Sequence, residues 1–328
     1  METPKTLQQA IQYFSDEQVC IDAVALMRWP DGPVCPHCEG EKAKNPYYLK
    51  TQKRWKCRSC RKQFSVKVGT IFEDSPITLQ KWLPALWMLV SCKNGISSYE
   101  IARDLGVSQK TAWFMLHRLR LVLKSQNLGF KIGGEGSEVE VDETFVGGKL
   151  KNMHSEKQKR YRALSGTAQF GGSGGKAIVM GMLDRDARQI RAQVVPDVSR
   201  LTLQTAVLKN VHHGTNIYTD QAPAYQRLSQ TYVHEIVNHA ETYVRGRVHT
   251  NGLENFWSLL KRNLSGTYVC VEPFHLERYV DEQVFRFNNR ATKDNPLNDS
   301  DRFLLALSQV ANKRLTFAEL TGKGSEPF

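Results

Sequence analysis

His249-Thr250-Asn251-Gly252-Leu253-Glu254-Asn255-Phe256-Trp257-Ser258-Leu259-Leu260-Lys261-Arg262 reads as the opening of an amphipathic helix. Leu253, Phe256, Trp257, Leu259 and Leu260 recur at helical spacing, and Asn251 has the side chain of an N-cap. Glu254, Ser258 and Lys261 fall at i, i+4 and i+7, one above another on a polar face. A carboxylate and an ammonium on one face can serve chemistry. Asn251 with Glu254 three residues on also fits a capping box, and Glu/Lys pairs decorate many solvated helices. What favours chemistry lies upstream: Asp142 and Asp220, each expected at the end of a strand.

The chain has 328 residues, room for two or three domains, and a net charge of +12. That charge points to a polyanion, and nucleic acid is the usual one. The longest apolar run, Trp82 to Val90, contains Pro84 and is too short to span a bilayer. Met1-Glu2-Thr3-Pro4-Lys5 carries no signal-peptide pattern. An intracellular, cytoplasmic protein with no membrane partner is expected.

Residues 1–30 read as two short helices broken at Ser15-Asp16. In residues 31–70, Cys35-Pro-His-Cys38 and Cys57-Arg-Ser-Cys60 are separated by 18 residues, the spacing of a structural four-thiolate Zn2+ site. His37 is a spare within the first turn. Tyr47, Tyr48, Trp55, Lys56, Arg58, Arg61 and Lys62 would suit a zinc ribbon that touches DNA. Cys20, Cys92 and Cys270 stand singly among apolar residues and read as buried free thiols.

Residues 76–125 are expected to be helical. Within them a helix ends at Gly106, Ser108 caps the next, and Gln109, Lys110 and Thr111 lie at its start. This is helix-turn-helix spacing, and Gln109, Lys110, Thr111 and Arg118 are the candidate DNA contacts. An ordinary helical hairpin is the competing reading. Residues 126–137, with Asn127, Gly129, Gly133, Gly134 and Gly136, form a linker.

Glu138-Val-Glu-Val-Asp142 alternates as a strand that ends at Asp142. A basic, glycine-rich insert covers 149–176. Ala177–Leu183 and Gln189–Val195 form a hairpin about a turn at 184–188, whose Asp184 and Asp186 are turn residues. A helix at 202–211, a strand at Asn216–Thr219 delivering Asp220, a helix from Gln221 and a strand from His234 towards His239 complete the pattern. The order β-β-β-α-β-α-β-α is similar to a ribonuclease-H-like fold: a mixed five-stranded sheet flanked by helices. There the first and fourth strands are neighbours, so Asp142 and Asp220 would lie side by side with Glu254 above them. Three carboxylates without cations repel one another, and Mg2+ or Mn2+ relieves that. Two such ions can activate the attacking oxygen and stabilise the leaving oxygen at phosphorus.

Val139-Glu-Val-Asp142-Glu-Thr-Phe-Val-Gly-Gly-Lys149, Tyr218-Thr-Asp220, the 249–262 stretch and Tyr279-Val-Asp-Glu-Gln-Val-Phe-Arg-Phe-Asn-Asn-Arg290 resemble DDE transposases of bacterial insertion sequences. The resemblance is to the zinc-ribbon group with an ISXO-like catalytic domain, placed here at 137–310 with a 311–328 tail. It implies Asp142, Asp220 and Glu254 as catalytic metal ligands and Lys261 as the accompanying base. Asn251 and His249 are possible accessories. Glu254 is preferred over Asn251 as third ligand because its spacing of seven to Lys261 matches the wider pattern. It also implies double-stranded DNA, transposon ends and target, as partner, and a homo-oligomer acting on nucleoid DNA. A DNA-binding regulator without catalysis and another ribonuclease-H-like nuclease are the rival readings.

Overall fold

The computed structural model describes residues 4–124, 131–148, 155–156, 158–159, 175–220, 223–226, 228–236, 249–293 and 295–322. The expected basic insert lies almost wholly outside the described residues, as do Asn127, Gly129, Gln221, His239 and 323–328. The chain divides into two compact units, Met1–Lys124 with Asn289–Phe328, and Ser125–Asn288.

In the first unit, a Thr6/Gln9 capping box opens α1 (Leu7–Tyr13) and Asp16 caps α2 (Glu17–Arg28), so the helix break falls at Ser15-Asp16. β1 (Tyr47–Leu49), β2 (Arg54–Lys56) and β3 (Gln63–Phe64) form an antiparallel sheet. Its core is aromatic: buried Trp55 has ring centroids of Tyr48 at 4.7 Å and Trp29 at 5.1 Å. α3 (Leu79–Ser91) is buried continuously from Trp82 to Val90, a core helix. No helix among the described residues is long and apolar enough to cross a membrane. A Ser97/Glu100 capping box starts α4 (Ser98–Leu105), Gly106 ends it at φ 59, and Ser108 caps α5 (Gln109–Leu123). Only glycine takes that left-handed turn at little cost.

The second unit holds β4 (Glu138–Val146), β5 (Ala177–Asp184), β6 (Gln189–Val195), α6 (Arg200–Asn210), β7 (Asn216–Thr219), β8 (Val233–Ile236), α7 (Asn251–Gly266) and α8 (Leu276–Asn288). The five strands run in the order β6-β5-β4-β7-β8. β4, β5 and β6 pair antiparallel, whereas β7 is parallel to both β4 and β8. This is the ribonuclease-H-like arrangement. The pleat of β4 sorts its side chains: Val139 and Val141 enter one core with Leu203, Ala206 and Val207 of α6. Val179 and Leu183 of β5 enter the other, with Leu253, Phe256, Trp257 and Leu260 of α7 and Val280 of α8.

Several expectations are corrected. Asp142 does not end its strand, because β4 stays paired with β5 as far as Val146↔Ala177. The helix expected from Gln221 is replaced by 3-10 turns at Pro223–Tyr225 and Leu228–Gln230. Gln204 Nε2 donates to the carbonyls of Ala224 and Gln226 (2.9 and 2.7 Å), which removes acceptors a helix would use. Asn251 is the first residue of α7 and not its cap; Thr250 holds that position with no side-chain bond, so the Asn251/Glu254 capping box does not form. Cys270 is exposed, Cys92 half-buried, and Cys20 alone of the three buried.

The chain re-enters the first unit at Asn289. Phe303 of α9 (Asp299–Leu307) packs at 5.3 Å against both Phe14 and Trp87, and Ile71 N–H donates to Val310 O at 3.0 Å. α10 (Phe317–Leu320) follows. Residues 289–310 therefore fold with the first unit, and much of the expected tail does too, because Phe303, Leu307, Leu315 and Leu320 need that core.

Candidate active site

The parallel pairing of β4 with β7 sets Glu138 beside Asn216 and Glu140 beside Tyr218. Continued two residues past the last recorded pair, that register points Asp142 towards Asp220, the first residue beyond β7, and the Asp220 charge acts on Asp142. Facing residues of paired strands share a face, on strands about 4.8 Å apart. That face receives α7: Trp257 Nε1–H donates to Asp142 Oδ2 at 2.9 Å. Gly181 lies opposite Asp142 on β5. A Cβ there would come within 2.7 Å of the Trp257 ring and 2.9 Å of Leu253, so glycine lets α7 lie against the sheet. Glu254, three residues before Trp257, is on the adjoining part of the helix surface and is exposed.

Asp142 thus feels the charges of both other acids. Burial, with help from Asp220 and Glu254, raises its carboxyl to about 6 against the opposing Trp257 hydrogen bond. Next to it, Glu143 points to the other side of the sheet, where it accepts the Tyr225 hydroxyl proton. Burial, then the charges of Asp220 and Asp142, push Glu143 up to about 7. Among the described residues only the four ribbon cysteines offer three or more ligand atoms all within 4.8 Å of one another. The three acids share a face and a field without that close approach. Asp142 is desolvated and repelled by the other two acids, and hard carboxylate oxygens of this kind suit a divalent cation.

This has a pH signature. Asp142 and Glu143 have folded-state values above their ordinary 3.8 and 4.5. Their stabilising effect is therefore complete below those values and lost as pH rises through about 6 and about 7. With zinc bound but no other divalent ion, Tm should fall between about pH 5 and about pH 8, and added Mg2+ should raise it more at the higher pH. Equal Mg2+ shifts at both pH values contradict the site.

The other candidates fall as follows. Ser258 and Lys261 are exposed on α7 with Glu254. Asn251 is exposed at its first position. His249 is held away from free use: its Nδ1 lies 2.7 Å from Arg185 Nη2 and its carbonyl accepts from the same nitrogen at 2.6 Å. On α5, Lys110 is exposed and Gln109 donates to Ser98 Oγ at 2.8 Å. Thr111 Oγ1 lies 2.8 Å from Ser108 Oγ. Arg118 is a correction: it is buried, donates to the Glu73 carbonyl at 2.5 Å and lies over the Phe114 ring, so packing uses the guanidinium assigned to DNA. Asp184 is the last residue of β5, and its Oδ1 ties down the turn that follows by accepting from the N–H of Asp186 and Ala187.

The ribbon cysteines fit zinc. Four ligands 2.3 Å from one ion in a tetrahedron have sulfurs about 3.8 Å apart. Cys35 Sγ and Cys60 Sγ are 3.8 Å apart, Cys38 Sγ and Cys57 Sγ 3.9 Å. Backbone N–H groups of His37 and Cys60 donate to Cys35 Sγ and Cys57 Sγ, as thiolates require. The Cys60 N–H holds the Cys57 thiol low, whereas the Cys60 thiol raises Cys38 and burial raises Cys35, a crowding of sulfurs that a bound cation would relieve.

Residues 132–288 match the ISXO2-like transposase domain, and residues 15–63 match the transposase zinc-ribbon domain, together more than half of the chain. The chain belongs to the zinc-ribbon DDE transposases of insertion sequences. It is a DNA-cleaving and strand-transferring enzyme that works with divalent metal and carries zinc in its ribbon. A protein in transposable element ISH50 of Halobacterium salinarum is 26% identical over 258 residues, which cover 78% of the transposase and 85% of that relative. The catalytic core of BIV integrase matches at TM-score 0.32 and 12% identity, over 51% of the transposase and 93% of that structure. A simian T-cell lymphotropic virus intasome in complex with PP2A regulatory subunit B56 gamma matches at 0.29 and 13%, over 64% and 70%. Strand order and register, not these scores, carry the fold assignment.

The sequence does not mark Trp257 as a partner of Asp142, nor Tyr225 as a partner of Glu143. The adjacency Asp142-Glu143 was visible. That Trp257 turns its indole N–H to the sheet was not, because at helical spacing it counts as apolar.

Proposed function

We propose that Asp142, Asp220 and Glu254 are the metal ligands of the transposase, for Mg2+ or Mn2+. The observation that supports this is the Trp257–Asp142 bond, which ties α7 to β4, with the charges of Asp220 and Glu254 both acting on the Asp142 carboxyl. Divalent ions held by these carboxylates would supply charge stabilisation to the attacking and leaving oxygens of an in-line displacement at phosphorus. Asp142, Asp220 and Glu254 bind the ions, and Trp257 orients Asp142. The exposed ammonium of Lys261 holds a DNA phosphate two turns along the same helix. Hydrolysis of one strand at the element end leaves a 3′-hydroxyl, which loses its proton and attacks a target phosphorus, forming a new phosphodiester while the target's own 3′-oxygen leaves as a hydroxyl.

For recognition, α4 and α5 act as a helix-turn-helix, with Gln109, Lys110 and Thr111 presented at the start of α5 to the terminal inverted repeats. The left-handed Gly106 between two capped helices and the net charge of +12 support this. The transposase works in the cytoplasm on nucleoid DNA as a homo-oligomer that pairs two ends. Electrophoretic mobility shift with the element's own end tests the recognition. Lys110→Ala should weaken specific and scrambled duplexes alike, whereas Gln109→Ala should weaken the inverted repeat about tenfold more than the scramble. Equal loss on both duplexes for Gln109→Ala removes α5 from sequence readout.

A further inference from the structure

We propose that Glu140 is a positioning residue for the catalytic centre: its buried carboxylate caps the first turn of α7 from β4 and thereby sets where Glu254 stands. The inference rests on the assignment of Glu254 as a metal ligand.

Every α-helix starts with N–H groups that have no partner within the helix. α7 has no side-chain cap of its own, since Thr250 makes no such bond. Instead Glu140 Oε2 accepts the N–H of Leu253 at 2.9 Å, across 113 residues of sequence. A carboxylate at that end of the helix also suits the helix dipole. Leu253 is the residue before Glu254, so the capped turn is the turn that carries the ligand.

The capping carboxylate is itself fixed. Glu140 is 1% exposed, and its Oε1 accepts from Arg185 Nε at 2.7 Å. The same guanidinium donates to Glu138 Oε2 at 3.1 Å and to the His249 carbonyl at 2.6 Å, and lies 4.7 Å from the Tyr218 ring centroid. Arg185 therefore joins β4, β7 and the residue that leads into α7. A carboxylate this buried, with a charged partner and a backbone donor, has no freedom to drift.

Gly252 makes room for the contact. A Cβ on Gly252 would sit 2.9 Å from Glu140 Oε2 and 2.4 Å from Leu183 Cδ2. This separates positioning from helix propensity. Alanine is the better helix former, so propensity alone makes Gly252→Ala favourable. Crowding against Leu183 and the capping carboxylate makes it harmful.

The test is Mn2+ binding by the full-length, zinc-loaded protein, read as free Mn2+ by electron paramagnetic resonance, with hydrogen exchange on α7. Glu140→Ala and Gly252→Ala should each weaken Mn2+ about tenfold or more, the effect usual for outer partners of metal ligands. Exchange should quicken in 250–257 and stay unchanged in 258–266. Glu282→Gln breaks a buried ion pair with Arg286 on α8 and controls for general loss of stability; it should leave Mn2+ affinity as in wild type. If Glu140→Ala does not fold, Gly252→Ala carries the test. Wild-type affinity in both variants, while Asp142→Asn and Glu254→Gln bind weakly, overturns the positioning role. Wild-type affinity in Asp142→Asn and Glu254→Gln removes the metal site itself, and this role with it. Weakening by Glu282→Gln as large as by Gly252→Ala also overturns it.

Discussion

Asp142→Asn is expected to keep duplex-DNA binding and zinc content while Mg2+-dependent cleavage and strand transfer fall on the order of 10³-fold or more, about 4 kcal/mol of transition-state stabilisation. Asparagine matches the shape of aspartate and can still accept the Trp257 N–H, so the loss reads the charge and not the packing. Asp220→Asn and Glu254→Gln should do the same. A double variant should cost little more than a single one, because the three acids act as a unit. The Glu254 variant also decides the third ligand: full activity in Glu254→Gln with loss in Asn251→Ala would transfer the role to Asn251, exposed at the first position of α7. Activity retained in all three acid variants would leave a DNA-binding regulator. Gel assays with labelled element ends, run beside a binding assay, separate these results.

The second large effect concerns the ribbon. Cys57→Ser should release one equivalent of zinc, measured by mass spectrometry of the metal, and unfold the segment that zinc staples. Structural zinc in small domains contributes on the order of 10 kcal/mol, more than three short strands can replace. Buried Trp55 then becomes exposed, which its fluorescence reports. Binding to element ends should weaken about tenfold or more, as basic residues such as Lys56 and Arg58 lose their frame. Undiminished zinc in this variant contradicts the four-thiolate site.

The zinc site was the most legible part of the chain, because CxxC turns act locally and spacing alone predicts convergence. The strand order was legible too, since the alternation of Val139 and Val141 and the hairpin at 177–195 follow from period-two patterning. Asp142 was placed on its strand but at the wrong depth: alternation shows a face and does not show where pairing stops. Arg118 illustrates a different limit. A basic residue on a recognition helix reads as a DNA contact until the Glu73 carbonyl and the Phe114 ring take it. The Glu140–Leu253 contact spans strand and helix and depends on Gly252, so no local pattern announces it.

Catalysis by this transposase depends on one ion site built from acids far apart in sequence. A crystal of the full chain grown with Mn2+ and measured near the manganese absorption edge tests it most directly. An anomalous peak is expected between the three side chains, with an oxygen of Asp142, Asp220 and Glu254 each about 2.1 Å from an ion. Manganese bound elsewhere on the protein, with none between Asp142 and Asp220, would contradict it.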